Sequence, residues 1–116
     1  LDPQLREIAI TRTGILCGSE YEVVAHKRIG KAAGVSDEKT DALEEGAESR
    51  AFTEVEKDVL RFTDEVVRTD SPTDATFNAV ARHMTPGAMV ELHLAIGFYI
   101  MTSKFLVTFG VDMQTG

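Results

Sequence analysis

The stretch EIAITRTGILCGSEYEVVAH, from Glu7 to His26, predicts two helices that meet at a tight turn. Apolar residues recur at roughly helical spacing in its first half, and Gly18 is the kind of residue that commonly ends a helix. Ser19 and Glu22 then form the pattern S-x-x-E, a capping box that opens a second helix. Glu22 and His26 lie one helical turn apart, so both side chains leave the same face of that helix.

The rest of the chain continues this helical pattern, with almost none of the alternation that is typical of strands. Capping residues, and the glycines and prolines that end helices, predict about six helices. Their expected bounds are Pro3 to about Cys17, Ser19 to about Ala33, a short helix from Ser36 that fades by Gly46, Thr53 to about Thr69, a helix that starts at Thr73 or Asp74 and carries Phe77, Val80 and Ala81, and Thr85 to about Phe109. The length of the chain predicts one domain over residues 1–116, and the helical pattern predicts that this domain is all-α.

Composition and charge argue against several classes of function. Of the 116 residues, 43% are hydrophobic and 27% are charged, as is ordinary for a soluble globular protein. A formal net charge of −7 disfavours binding to nucleic acid and to anionic membrane surfaces. The single cysteine, Cys17, cannot form an internal disulfide, and no signal peptide is visible. We expect a cytoplasmic protein. Because the chain starts at Leu1 rather than at Met, we also expect that residues upstream are missing.

The last predicted helix is apolar in nearly every direction around its axis. Its apolar residues are Met89, Val90, Leu92, Leu94, Ile96, Phe98, Tyr99, Ile100, Met101, Phe105, Leu106 and Val107. A helix of this kind is buried on all sides, and a small domain has little room to bury one in that way. The pattern therefore predicts a homo-oligomer in which this helix contacts another subunit. The longest apolar run, about Leu94 to Met101, is too short to span a bilayer.

Glu22 and His26 are the first candidates for proton transfer. A carboxylate beside an imidazole holds and tunes a proton-transfer group near neutral pH. Glu7 offers a second carboxylate, and the small residues Thr11 and Gly14 on its side of the first helix allow another helix to lie close. Three alternatives stay open. The capping box could occupy Glu22, His26 could be an ordinary core or surface histidine, and Glu7 could pair with a nearby arginine.

Redox and metal chemistry have weaker support in the sequence. Cys17 has no partner at C-x-x-C spacing, and no Lys or Arg within the next turn activates its thiol, so a buried structural cysteine is favoured. No cluster of His, Cys and carboxylate residues reaches a complete metal set by spacing, because Glu22 and His26 alone would supply half a site. Glycine loops that bind phosphate are absent. We therefore expect no metal site.

Three segments resemble the carboxymuconolactone decarboxylase family, which shares its fold with the AhpD-like alkylhydroperoxidases. They are REIAITRTG (Arg6 to Gly14), GSEYEVVAH (Gly18 to His26) and AAGVSDE (Ala32 to Glu38). The later segment ELHLAIGFYIM, from Glu91 to Met101, is similar to the last long helix of the family. The resemblance implies an AhpD-like helical domain that assembles as a trimer or a hexamer.

The peroxidase branch of this family has a glutamate in the first helix, then C-x-x-C, then a histidine four residues after the second cysteine. When Glu7 and His26 are aligned with that pattern, Ser19 and Glu22 stand at the two cysteine positions. Peroxide reduction of this kind needs one thiolate to attack and a second thiol to resolve the sulfenic acid. A serine and a carboxylate do neither, and Cys17 is displaced from both positions.

The decarboxylase branch has E-x-x-x-H at the start of the second helix, which is the form of Glu22 to His26. The resemblance therefore implies a lyase that needs no cofactor and that decarboxylates a small carboxylated lactone or a related organic acid. In such an enzyme His26 would donate or accept the proton, Glu22 would orient the imidazole, and Glu7 would be a second carboxylate in the pocket.

Polar residues of the first two predicted helices are the expected substrate contacts. Ser19 and Tyr21 stand at the start of the second helix and Arg12 stands on the first, and Arg28 is a second cation for a substrate carboxylate. Two other functions stay open. One is a thiol-dependent alkylhydroperoxidase acting through Cys17. The other is a non-catalytic oligomeric module that binds small molecules.

Overall fold

The computed structural model describes residues 1–111, and it is all-helical over that range. The elements are α1 Pro3–Leu16, α2 Glu20–Ala32, α3 Asp37–Ala42, a 3-10 helix Gly46–Glu48, α4 Glu54–Arg68, α5 Asp74–Ala81 and α6 Pro86–Thr108. The predicted all-α fold with about six helices is confirmed, while the short 3-10 helix was not predicted. Residues 112–116 of the expected domain lie outside the described range.

Every α-helix begins at a residue whose side chain caps it. Thr53 opens α4 with a full capping box, in which Glu56 N–H donates to the threonine hydroxyl and the Glu56 carboxylate accepts from Thr53 N–H. Ser19 opens α2 with half of the predicted box. Its hydroxyl accepts from Glu22 N–H at 3.4 Å, but its own N–H donates to the Gly14 carbonyl. The Glu22 carboxylate is therefore not used by the cap.

α1 is the central helix and packs against α2, α4 and α6. Its neighbouring residues Ile8 and Ala9 are fully buried and belong to two different apolar clusters. The first cluster contains Ile8, Val35, Ala42, Leu43, Ala47, Phe52 and Leu60. The second contains Ala9, Val59, Phe62, Val80, Met89, Leu92 and Ile96. Because α1 is packed on several sides, polar side chains that it carries are held in buried positions.

Gly14 allows α1 and α2 to lie close together. A Cβ atom on Gly14 would lie 3.2 Å from Val23 Cγ2 and 3.4 Å from Glu22 Cβ. Further along the interface, a Cβ atom on Gly30 would make an ordinary van der Waals contact of 3.5 Å with Glu7 Cβ. The expectation that small residues such as Gly14 admit a second helix is confirmed. The same close approach sets Glu7 of α1 and Glu22 of α2 at the interface between the two helices.

One face of α6 packs in the core and the other is exposed. The buried residues are Met89, Leu92, Ile96 and Ser103. The exposed large apolar residues are Val90, Leu94, Phe98, Met101, Phe105 and Val107, followed by Phe109 at the C-cap. A single subunit therefore leaves much of the apolar surface of α6 in contact with solvent.

By length and composition alone, α6 is long and apolar enough to cross a membrane. This finding corrects the expectation based on the shorter run Leu94 to Met101. One such helix in the described part of the chain is weak support for a membrane segment, because core helices of soluble proteins meet the same criterion.

Candidate active site

Glu7, Glu22 and His26 meet between α1 and α2. The Nδ1 atom of His26 lies 2.6 Å from Oε1 of Glu7, and its Nε2 atom lies 3.1 Å from Oε2 of Glu22. None of the three side chains is more than 9% exposed. We call this group the Glu7–His26–Glu22 cluster. The structure thus brings together the three residues that the sequence suggested for acid/base chemistry.

The two ring nitrogens of His26 face different carboxylates. The contact of Nδ1 with Glu7 is a buried hydrogen bond, and the contact of Nε2 with Glu22 is an ion-pair distance within one turn of α2. A neutral imidazole has one N–H donor and one acceptor nitrogen, whereas an ionised carboxylate only accepts. The imidazole is therefore held between two groups with which it can exchange a proton.

Arg6 is the cation beside this cluster. Its Nε atom lies 3.3 Å from Oε2 of Glu7, and its side chain is 52% exposed. The two oxygens of Glu7 consequently have different partners, since Oε1 faces His26 and Oε2 faces Arg6. Pairing of Glu7 with an arginine, which the sequence left open as an alternative to a functional role, is compatible with its contact to His26.

Tyr99 of α6 lies against the imidazole. Its ring is edge-on to that of His26, with 4.8 Å between the ring centroids. Burial raises the pKa of the Tyr99 phenol, and the negative charges of Glu22 and Glu7 raise that pKa further. The positive charge of Arg6 opposes the shift. The phenol therefore keeps its proton at neutral pH and is available as a hydrogen-bond donor.

The space on the two sides of the cluster differs. The gap lined by Glu7, His26, Gly30 and Val35 is too small to hold a water molecule. Tyr99, in contrast, also lines a shallow open groove of about 620 Å³ on the outer face of α6, which is lined by residues of α6 and by none of the cluster. The Glu7 side of the imidazole therefore has no room for water, and Tyr99 separates the cluster from the open groove.

Arg12 lies away from the cluster. Its Nε and Nη2 atoms donate to the two oxygens of Asp64 at 2.9 Å and 3.1 Å. Its Nη1 atom donates to the carbonyls of Leu43 and Glu44 at 2.9 Å and 2.8 Å. Because these contacts use most of its donors to join α1 to α4 and to the segment after α3, the structure does not bring Arg12 to the site as the sequence suggested.

The other residues expected to bind substrate lie on α2 or at its start. Ser19 is buried and uses its hydroxyl as the cap of α2. Tyr21 is half-buried in the first turn, and over residues 1–111 no hydrogen bond or ring contact joins it to His26. Arg28 is exposed further along the helix. In the described range, none of these side chains forms a hydrogen bond, an ion pair or a ring contact with the imidazole.

Cys17 is the C-cap of α1 and is half-buried. Burial raises the pKa of its thiol, and the charge of Lys104 partly offsets that shift. The fraction of reactive thiolate at neutral pH is accordingly low. In the part of the chain that the structure describes, no group of three or more His, Cys, Asp or Glu residues is arranged to hold a metal ion.

Neither Tyr99 nor the role of Arg6 as the cation of the site was predicted from the sequence. Tyr99 was one of many apolar residues on the last helix, and its contact with His26 depends on how α6 packs against the first two helices. Arg6 was only one of two arginines near Glu7. The spacing of charges along α1 gives no signal that distinguishes Arg6 from Arg12.

Comparisons with known proteins agree with this architecture. A crystal structure of a protein of unknown function from Agrobacterium tumefaciens, named there as a candidate antioxidant defence protein AhpD, is similar with a TM-score of 0.90 and 22% identity, over 97% of this chain and 78% of that chain. At this identity the likeness shows the fold alone, which is AhpD-like. A comparison with curated proteins gave no match. The sequence pattern of the carboxymuconolactone decarboxylase family matches residues 1–65, more than half of the chain. The chain therefore belongs to the carboxymuconolactone decarboxylase family.

Proposed function

We propose that this protein decarboxylates a small carboxylated lactone or a related organic acid by acid/base chemistry at the Glu7–His26–Glu22 cluster. The observation that carries the proposal is that both ring nitrogens of His26 face carboxylates, at 2.6 Å and 3.1 Å, in a buried position. Such a group stores and delivers a proton, whereas it offers no sulfur for redox chemistry. Family membership is compatible with either branch, so the choice of branch rests on this cluster.

In the proposed reaction the bond between a substrate carbon and its carboxylate breaks, and carbon dioxide leaves. The electron pair of that bond stays with the carbon and is delocalised into the unsaturated lactone. The proton held between Nε2 of His26 and Glu22 is then transferred to the carbon, and water later restores that proton to the cluster. The reaction needs neither an oxidant nor a reductant.

The two carboxylates have different tasks in this scheme. Glu7 orients the imidazole through Nδ1 on the side that has no room for water. We therefore place proton exchange at Nε2, which lies 3.1 Å from Oε2 of Glu22. This gives Glu22 a more direct task than the orienting role expected from the sequence. Substrate would approach from the side of Tyr99, where the surface is open.

A thiol-dependent hydroperoxidase is the second candidate, and the name of the similar Agrobacterium tumefaciens protein favours it. Cys17 would have to attack the peroxide as a thiolate, although burial raises the pKa of its thiol. Ser19 and Glu22 offer no second thiol that could resolve a sulfenic acid. We therefore favour the decarboxylase.

Assays of the wild type and of Cys17→Ser separate these functions. We expect the wild type to release carbon dioxide from a carboxylated γ-lactone, and Cys17→Ser to do so at the same rate, because the thiol takes no part. Neither protein should reduce an alkyl hydroperoxide above background in the presence of dithiothreitol. A peroxidase rate that disappears in Cys17→Ser, without carbon dioxide release, would contradict the proposal. Lactone binding without turnover would instead favour the non-catalytic binding module.

We further propose that the exposed face of α6 joins copies of this chain into a trimer or a hexamer. Its apolar side chains recur every three or four residues and so form one stripe, which consists of Val90, Leu94, Phe98, Met101 and Phe105. The opposite face of α6 is fixed in the core, so the stripe is held in place for a partner. The ring of Phe98 also lies 5.1 Å from that of Tyr99, so assembly would cover the open side of the site.

Light scattering after size-exclusion chromatography tests this interface. We expect the wild type to have a mass several times that of one chain, and Leu94→Glu with Phe105→Glu to be monomeric, because two charges would be buried in an apolar contact. Ile29→Glu, at an exposed apolar residue of α2, should keep the wild-type mass. A monomeric wild type, or one that binds phospholipid vesicles through α6, would contradict the assignment.

A further inference from the structure

The charge of the cluster raises a question about any acidic substrate. The cluster contains two acidic side chains, Glu7 and Glu22, so an approaching carboxylate would be repelled by their negative charge. Over residues 1–111, Arg6 is the cation that forms an ion pair with this cluster, and it offsets part of that negative charge. Without Arg6, a carboxylated substrate would have to bind next to a net negative site that is shielded from water.

Arg6 has donors left over for a ligand. Its Nε–H donates to Glu7, and over residues 1–111 no hydrogen bond uses the four N–H groups on Nη1 and Nη2. The side chain is half-exposed, so these donors are accessible to a small molecule. The planar guanidinium matches the two oxygens of a carboxylate, and such paired hydrogen bonds are strong and directional. Arg12, by comparison, has its donors occupied by Asp64 and by backbone carbonyls.

Tyr99 provides a second donor beside Arg6. Its ring contacts His26, while Arg6 contacts Glu7, so both residues adjoin the cluster from outside. The charge of Arg6 is close enough to Tyr99 to affect the pKa of the phenol. The two residues come from α6 and α1, which are in direct contact. A guanidinium and a phenol therefore both adjoin the cluster, the first at Glu7 and the second at His26.

We propose that Arg6 and Tyr99 form the recognition site for the carboxylate of the substrate, with the guanidinium pairing with the anion and the phenol donating a hydrogen bond. This inference rests on the proposed function and extends it, because it names the residues that make the site selective for organic acids. Arg6 takes the place that the sequence suggested for Arg12 or Arg28.

Calorimetric titration with two probes tests this site without requiring turnover. The probes are a saturated γ-lactone that carries a carboxylate, which has no unsaturation to accept the electron pair and so is not decarboxylated, and its uncharged methyl ester. We expect Arg6→Gln to weaken binding of the acid by about tenfold or more and to leave binding of the ester almost unchanged, since a charge-assisted hydrogen bond is lost only with the acid. Arg6→Lys should fall in between, because it keeps the charge but not the planar fork. Tyr99→Phe should weaken acid binding by a smaller factor.

Control variants make the result specific. Arg82→Gln, at an exposed arginine that follows α5, should bind the acid like the wild type. Equal loss of affinity for acid and ester in Arg6→Gln, an unchanged affinity for the acid, or a loss in Arg28→Gln instead would overturn the inference. Acid binding that depends on Arg6, in a protein that releases no carbon dioxide, would uphold the recognition site and refute the decarboxylase. His26→Ala should lose turnover and keep its affinity for the acid.

Discussion

Replacing His26 by alanine is expected to lower the rate of carbon dioxide release by about a thousandfold, in line with the loss of a general acid/base group. Over residues 1–111, the imidazole is the group that pairs with both carboxylates of the cluster, so its removal takes away the proposed proton donor. Alanine also leaves two buried carboxylates without their partner. His26→Gln is therefore the second variant, because its amide can donate to Glu7 but cannot carry the exchanged proton.

His83 offers a matched control for this experiment. Its Nε2 atom lies 3.0 Å from Oδ2 of Asp58, which makes a histidine–carboxylate pair of similar geometry outside the site. His83→Gln should keep the wild-type rate. Far-UV circular dichroism of each variant checks that the helices are intact. Wild-type turnover in a folded His26→Gln protein would remove His26 from the mechanism.

Replacing Arg12 by methionine is expected to cost about 3 kcal/mol of the free energy of unfolding, as the loss of one partner from a buried ion pair typically does. The guanidinium side chain is 6% exposed, and its partner Asp64 is 20% exposed. Its removal leaves the Asp64 carboxylate and the carbonyls of Leu43 and Glu44 without this donor. Urea unfolding followed by circular dichroism measures the change.

Arg68 is the control for Arg12, because it contacts the same carboxylate from the surface. Its Nη1 atom lies 3.7 Å from Oδ2 of Asp64, and its side chain is 60% exposed. Arg68→Ala should lower the free energy of unfolding by less than about 1 kcal/mol, as is usual for exposed ion pairs. If Arg12→Met is no less stable than Arg68→Ala, then Arg12 is not a structural residue and its assignment to substrate binding returns.

The helices could be predicted from the sequence because their ends are local features. Thr53 with Glu56, or Pro86 after Thr85, caps a helix through contacts within one turn. The 3-10 helix Gly46–Glu48 was missed because long-range packing shapes this segment. Arg12 bonds to the carbonyls just before it and packs against Gly46.

The site could be predicted only in part. Glu22 and His26 are one turn apart on one helix, so their contact follows from spacing. Whether the Glu22 carboxylate caps α2 or contacts His26 could not be decided from spacing alone, because both are local interactions of that carboxylate. The outcome depends on the packing of α1, which brings Glu7 to the other side of the imidazole. Tyr99 reaches His26 only through the packing of α6, and that packing has no signal in the sequence near either residue.

The mass of the product formed in deuterium oxide tests the proton-transfer mechanism most directly. We predict that the wild type, acting on the carboxylated γ-lactone, places one deuterium on a carbon atom of the product for each carbon dioxide released, because the Glu7–His26–Glu22 cluster takes the proton that it delivers from water. Release of carbon dioxide without carbon-bound deuterium, or no release from such lactones at all, would contradict the mechanism.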